Sequence, residues 1–232
     1  MLKKLFRFAG RLLKHLSRGE FALAFHKVAA KFPCWLLDFD QAYLLVNDID
    51  RLKFPENMYT SHQVRTATIE DAELIAGIDG WPVDHIRELL GSGAQCFMAA
   101  PAGEAVAAIN WIVYSRCFVR GIGLTMELQP GEFYGGGAMT KPEYRGQGLF
   151  LSLNKAITDC ARKRGLTRYW IMIELTNLHN MSIRSKMGFD PRRKVTYFRL
   201  FGLKICRLKD LQTGAIKTKF FTGMPSGDLT YF

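Results

Sequence analysis

Three consecutive glycines, Gly135 to Gly137, lie within the segment Glu132 to Thr140, and a loop of different character follows: Lys141-Pro142-Glu143-Tyr144-Arg145-Gly146-Gln147-Gly148-Leu149-Phe150. A strand so bare of side chains leaves its backbone open to close approach by a ligand. Beyond the loop, Leu149, Leu151, Leu153, Ala156, Ile157, Cys160 and Ala161 fall mostly at helical spacing between polar residues. Lys163 and Arg164 fill the last turn and Gly165 is placed to cap it. The pattern predicts a helix that begins near Gly148. Amide groups that open a helix attract anions, and Arg145 adds a formal positive charge. Strand, loop and helix in this order form a phosphate cradle made mainly of backbone.

The loop lacks the Gly-Lys-Ser/Thr ending of a Walker loop and the Gly-x-Gly-x-x-Gly spacing of a dinucleotide fold. It resembles the acyl-CoA-binding signature of the GCN5-related N-acetyltransferases (GNAT), Arg/Gln-x-x-Gly-x-Gly/Ala, read here from Arg145 to Phe150 and preceded by Pro142-x-Tyr144. Phe150 departs from the small final residue of that signature. The surrounding order is also similar: Arg168 to Leu175 reads as a buried strand, followed by Asn177, Asn180 and a short amphipathic helix that stops at Gly188-Phe189. A second departure is Arg184, at the position where many members carry a tyrosine that protonates the departing thiolate. A guanidinium can stabilise negative charge but is a poor proton donor at neutral pH.

The resemblance implies acyl transfer from a pantetheine thioester, acetyl-CoA by default, to an amine in one ternary complex. It assigns Met139, Thr140, Arg145, Gly146, Gln147, Gly148, Leu149 and Phe150 to the cosubstrate, with Asn177 or its rival Asn180 as the contacting asparagine. A strand N–H near Met139 would polarise the thioester carbonyl. Glu132 and Glu174 are the candidate bases for the ammonium proton, each with a structural alternative: a turn end after Pro130-Gly131 for Glu132, an ion-paired carboxylate for Glu174. Tyr134 and Tyr144 are further candidate proton donors, and His179 reads as a surface residue at a helix start. The acceptor is left open between a small molecule, an amino sugar and a lipid-linked amine. A long-chain donor on an acyl carrier protein is an alternative, since such a carrier is acidic and the chain carries 32 basic against 21 acidic residues, a formal +11. A non-catalytic membrane or protein-interaction module on a degenerate scaffold is the other.

The 232 residues, 48% hydrophobic and 12% aromatic, suffice for a well-packed core and argue against disorder. No apolar run approaches the length of a membrane span. Five cysteines, Cys34, Cys96, Cys117, Cys160 and Cys206, show no paired short spacing, so neither a metal site nor a disulfide framework is expected and a reducing, cytoplasmic setting is.

Lys3, Lys4, Arg7, Arg11, Lys14 and Arg18 precede the first acidic residue, Glu20, while Leu2, Leu5, Phe6, Ala9, Leu12, Leu13 and Leu16 repeat at three and four. That is an apolar stripe with a cationic opposite face, suited to an anionic membrane interface and equally to docking on protein. No nucleic-acid partner is expected, because aromatic residues at helical spacing suit burial better than base stacking.

A second amphipathic pattern runs from Glu20 to Pro33, and Trp35 to Val46 is compatible with strand or helix. The domain reading is an amphipathic, basic extension at 1–63, a GNAT-like acyltransferase domain at 64–209 and a tail at 210–232. Within the domain, Val64 to Thr68 predicts a strand, Thr68 caps a helix with Glu70 and Asp71 in its first turn, and Trp81-Pro82 begins another through Leu90. Hairpins are predicted at Gln95 to Ala100 with Glu104 to Tyr114, and at Val195 to Leu200 with Leu203 to Leu208. This order is the one the resemblance implies, and with it the fold class α/β (α+β): a GNAT-like central mixed, mostly antiparallel sheet with helices on both faces, plus an N-terminal amphipathic helical extension.

Overall fold

The computed structural model describes residues 20–31, 37–55, 62–119, 124–222 and 230–231. The basic stripe at 1–18 therefore lies outside the described residues. The chain runs α1 (Phe21–Ala29), β1 (Leu37–Asp48), β2 (Gln63–Thr66), α2 (Ala72–Asp79), α3 (Val83–Gly91), β3 (Gln95–Ala100), β4 (Ala108–Val113), β5 (Arg116–Val119) and β6 (Leu124–Glu127). It continues through β7 (Glu132–Thr140), α4 (Leu149–Lys163), β8 (Arg168–Glu174), α5 (Leu178–Lys186), β9 (Asp190–Leu200), β10 (Leu203–Asp210), β11 (Ile216–Thr222) and β12 (Thr230–Tyr231).

Nine strands form one sheet in the order β11-β10-β9-β1-β8-β7-β4-β3-β2, and β12-β6-β5 form a smaller one. Every neighbouring pair in the large sheet is antiparallel except β7 with β8. Alternation along the strands sends side chains to two faces. On one face α4 packs Leu149, Leu153, Ile157 and Ala161 against Phe97, Phe133, Tyr169 and Ile171. On the other, α2 and α3 cover Met98, Ile109 and Trp111, while Leu44, Tyr134, Trp170 and Tyr197 cluster with Met126 of the small sheet. Helices thus lie on both faces, as the sequence predicts.

The local signals behind these elements are visible. Thr68 and Asp71 close a capping box ahead of α2, Gly165 leaves α4 at φ +70°, and Phe201 and Gly202 turn the β9–β10 hairpin at φ +47° and +82°. The segment left between strand and helix is a strand: β1 pairs with β8 from Ala42↔Glu174 to Asp48↔Arg168 and with β9 on its other edge. It comes from residues grouped with the N-terminal extension and lies inside the main sheet. Similarly, β11 comes from the residues grouped as a tail and pairs with β10.

Candidate functional site

The parallel pair begins at Glu132↔Arg168 and its last paired residues are Gly135 and Ile171. Beyond that point β7 keeps β4 on one side, with Ile109↔Met139 and Ala108↔Thr140, while β8 keeps β1. The sheet therefore forks, and among the described residues the stretch Gly136–Thr140 has a strand on one edge alone. The glycines at the fork have a second, internal reason. A Cβ on Gly135 would overlap the ring of Tyr169, and one on Gly136 would come within 2.7 Å of the ring of Tyr134. Gly137 turns at φ +62°, the left-handed region that favours glycine, beside the indole of Trp111.

Next to the fork, Pro142–Tyr144 make one short turn and α4 starts after Gly146 and Gly148, both left-handed at φ +80° and +82°. Among the described residues the N–H groups of Gly146, Gln147, Gly148 and Leu149 meet no acceptor. Helix starts leave such donors unsatisfied, and they favour an anion. Arg145 is exposed at the same loop and its Nε donates to the Thr140 carbonyl at 3.3 Å, tying the loop to the end of β7. Gln147 donates to the carbonyl of Glu143 at 3.5 Å. Met139 is exposed and Thr140 half-buried on the same free edge. Leu149 is buried in the core, so only its backbone faces the loop.

Phe150 does not fill the loop; its ring centroid lies 4.7 Å from the guanidinium carbon of Arg184. The two departures from the GNAT signature thus touch each other. Arg184 is 3% exposed and also lies over Phe189 at 5.2 Å and Tyr169 at 5.6 Å. Its Nη1 donates to Asn154 Oδ1 at 2.6 Å, and the Tyr169 hydroxyl donates to the same oxygen at 3.1 Å. Burial pulls the Arg184 guanidinium below its ordinary pKa, and the hydroxyls of Tyr169 and Tyr134 act against that. Tyr134 crosses the fork to the backbone N–H of Met172, one residue past the last paired position, and burial pushes its own pKa up. Sequence reading missed Asn154 and Tyr169, since no motif marks a polar residue on the core side of a helix or a tyrosine in an apolar strand. It also missed Asn110, fully buried on β4 at the bulge opposite the glycines, whose side-chain oxygen and nitrogen have no partner among the described residues.

The remaining candidates separate. Glu174 is exposed at the open end of β8. Asn177 caps α5, its Oδ1 accepting from the Asn180 N–H at 3.2 Å, while the Oδ1 of Asn180 is buried without a partner. Glu132 lies at the other end of the pair, 9% exposed, accepting from Arg168 at 3.0 Å and from the Gln129 N–H at 3.1 Å. Met139 is seven positions further along the strand, roughly 23 Å at ordinary rise, so the structure does not bring Glu132 to the fork. It lines instead a charged cavity of about 480 Å³ with Asp48, Arg51, Glu127, Arg168, Trp170, Asp190, Arg192 and Arg193. Tyr144 is half-buried beside the loop, where a hydrogen bond to Glu104 raises its pKa. His179 is exposed on the first turn of α5. Burial raises the thiols of Cys96, Cys117 and Cys206 to about 12, which keeps them protonated and poor nucleophiles.

No family model matches the sequence, and no curated protein matches it. Solved structures do. A Drosophila protein aligns with TM-score 0.51 at 15% identity over 81% of this chain and 58% of its own. A conserved protein of unknown function from Staphylococcus epidermidis aligns with TM-score 0.50 at 10% identity, over 76% and 65%. A putative acetyltransferase of the GNAT family from Novosphingobium aromaticivorans aligns with TM-score 0.49 at 16% identity, over 68% and 62%. The chain spans under two thirds of the length of each. At such identities likeness speaks to fold alone, and that fold is a mixed, mostly antiparallel sheet with helices on both faces, parting beside a glycine loop and a long helix.

Proposed function

We propose that the chain is an N-acyltransferase that moves an acetyl or other acyl group from acyl-CoA to an amine by direct attack. The observation that carries this reading is the fork: a single-edged glycine strand lies next to a loop whose amides have no acceptor, and Arg145 joins the two. A pantetheine arm fits alongside Gly136–Thr140 as an added strand, and a diphosphate fits the start of α4. Backbone donors on the free edge of β7 near Met139 would take the charge that develops on the thioester oxygen. Holding the amine against that carbonyl removes translational freedom and supplies much of the rate. Glu174, at the open end of β8, is the better placed of the two carboxylates to accept the ammonium proton directly or through water. Asn180, with its buried orphan oxygen, is an acceptor for a pantetheine amide, and Asn177 fixes the turn that presents it.

Calorimetry with acetyl-CoA, followed by thiol release in the presence of a panel of amines, tests this reading. Micromolar binding with amine-dependent release is the expected result; absence of binding at high micromolar acetyl-CoA would sink it in favour of a non-catalytic module.

The acceptor's setting has its own support. Phe201 and Phe220 are 74% and 66% exposed, and Leu200 and Leu203 flank Phe201 at the β9–β10 turn, on a part of the sheet rich in Arg and Lys. With the basic N-terminal stripe, this favours an acceptor or long-chain donor met at an anionic membrane or on an acidic carrier protein. Among the described residues no helix is long and apolar enough to cross a membrane. Vesicle sedimentation at low and high salt, with and without residues 1–18, checks the association.

A further inference from the structure

Arg184 presents an unresolved charge. A guanidinium taken out of water ordinarily has a carboxylate beside it, because an unpaired buried charge costs several kcal/mol. Among the described residues no carboxylate lies within ion-pair distance of Arg184. Among the described residues its side-chain partners are the neutral amide of Asn154 and the hydroxyl of Tyr169, its Nε has none, and three aromatic faces surround it. Cation–π contacts offset part of the cost without supplying negative charge. The titratable groups that face it are the hydroxyls of Tyr169 on β8 and Tyr134 on β7; α4 contributes Asn154 and Phe150, and the segment after α5 contributes Phe189. None of these is a carboxylate.

The position of this cation is informative. Tyr169, bonded to the same Asn154 oxygen, has its ring against Gly135, the last residue at which β7 and β8 are paired. Tyr134 closes the same point from the other strand, through the Met172 N–H. Arg184 therefore stands behind the apex of the fork, toward which the sulfur end of a pantetheine arm would run. Resting on the acyl-transfer reading above, we propose that Arg184 supplies the counter-charge for the departing CoA thiolate, replacing proton donation by electrostatic stabilisation. When the amine nitrogen attacks, the new C–N bond forms, the C–S bond breaks, and the electron pair leaves on sulfur. The sulfur departs as thiolate beside the guanidinium, and the ammonium proton goes to a base or to water. Phe150 is the companion change: its ring covers the guanidinium where the signature has a small residue, and it holds the cation at the fork. A fixed cation strengthens this interaction because the surroundings are dry.

The test reads the thiol itself. CoA, desulfo-CoA and acetyl-CoA are titrated calorimetrically into the wild-type protein and Arg184→Met, and the ultraviolet absorbance of bound CoA thiolate is followed with pH. In the wild type the bound thiol ionises at lower pH than free CoA, and at pH 8 CoA binds about tenfold more tightly than desulfo-CoA, a ratio worth about 1.4 kcal/mol. Arg184→Met removes both differences, binds acetyl-CoA as before, and melts no lower than the wild type, since a buried charge without an ionic partner is replaceable by an apolar side chain at little cost. Should Arg184→Met fail to fold, Arg184→Gln, which keeps a donor for Asn154, takes its place with the same expectation. An unshifted thiol in the wild type overturns the proposal, as does a shift that survives in the neutral variant or disappears instead in Tyr134→Phe. If none of the three ligands binds, the acyl-transfer reading itself has failed, an outcome distinct from binding with an unshifted thiol.

Discussion

The two ends of the β7–β8 pair are built on opposite principles. At the closed end, charges meet charges: Arg168 reaches Glu132 at 3.0 Å and Asp48 at 4.0 Å, Asp48 also meets Arg51, and the cavity there is lined by residues of both signs. At the open end, by contrast, among the described residues the loop amides meet no acceptor, Asn110 and Asn180 carry orphaned polar atoms, and Arg184 has no anion. Cavity volume would have pointed to the first; unmet bonding capacity points to the second. A buried polar group without a partner costs about 1–3 kcal/mol, and a cluster of them is tolerated most simply where a ligand completes the bonding.

The largest effect should come from the element that both ends share. Strand β1 lies against the whole of β8 and alone connects β9 to the rest of the sheet. Removing residues 1–63 is therefore expected to abolish cooperative thermal unfolding and near-ultraviolet circular dichroism altogether; a truncated protein that melts normally would break the comparison at its root. Gly148→Val comes next. It forces a β-branched side chain into a left-handed backbone at φ +82°, and the expected result is at least a roughly tenfold loss of acetyl-CoA affinity by calorimetry. The corresponding charge change at the closed end, Arg168→Met, should leave that affinity unaltered. It should cost about 1–2 kcal/mol in urea unfolding, because Glu132 is left nearly buried with its backbone donor alone. If Arg168→Met weakened acetyl-CoA as much as Gly148→Val, the two ends would not be functionally distinct.

The smallest effect is a pH-dependent control remote from both ends. Two hydrogen bonds from Arg65, at 2.6 and 2.7 Å, hold the Asp71 carboxyl at about 2, with burial acting the other way. The folded pKa is below the unfolded value, so this stabilisation is present above about pH 4 and is lost as the pH falls through the folded value. Asp71→Asn should thus cost about 1–2 kcal/mol near pH 7 and close to nothing near pH 2 in denaturant titrations. A cost that does not change with pH would assign Asp71's contribution to capping alone.

Much of the open end was legible in the sequence because its signals are local. Gly148, the helical spacing from Leu149 to Ala161, Gly165 and the short segment ending at Gly188-Phe189 each act within a few residues, and the helices begin and end close to where they predict. What was not legible depends on distant partners. Glu132 is a plausible base by its neighbours in sequence, and only Arg168, 36 residues on, places it in an ion pair. The contact between Phe150 and Arg184 likewise joins two elements, so two separate anomalies in a motif turned out to be one packing arrangement. The identity of β1 was undecidable for the same reason: Asp38, Asp40 and Gln41 interrupt its apolar pattern, and its strand character comes from β8 and β9. The β5–β6 hairpin of the small sheet was not anticipated, each strand being four residues long, although Gly121 and Gly123 lie between them as a turn signal.

That dependence of β1 on partners encoded far downstream sets an order of events during synthesis. Ala42 finds its neighbour at Glu174, about 130 residues later, so the early strand waits without hydrogen-bonding company until most of the chain has left the ribosome. Such long-range closure slows folding, and it leaves an apolar segment exposed in the meantime, next to a cationic leader. The yield of this protein in a cell should therefore respond to translation rate more sharply than that of a protein whose sheet closes from neighbouring hairpins.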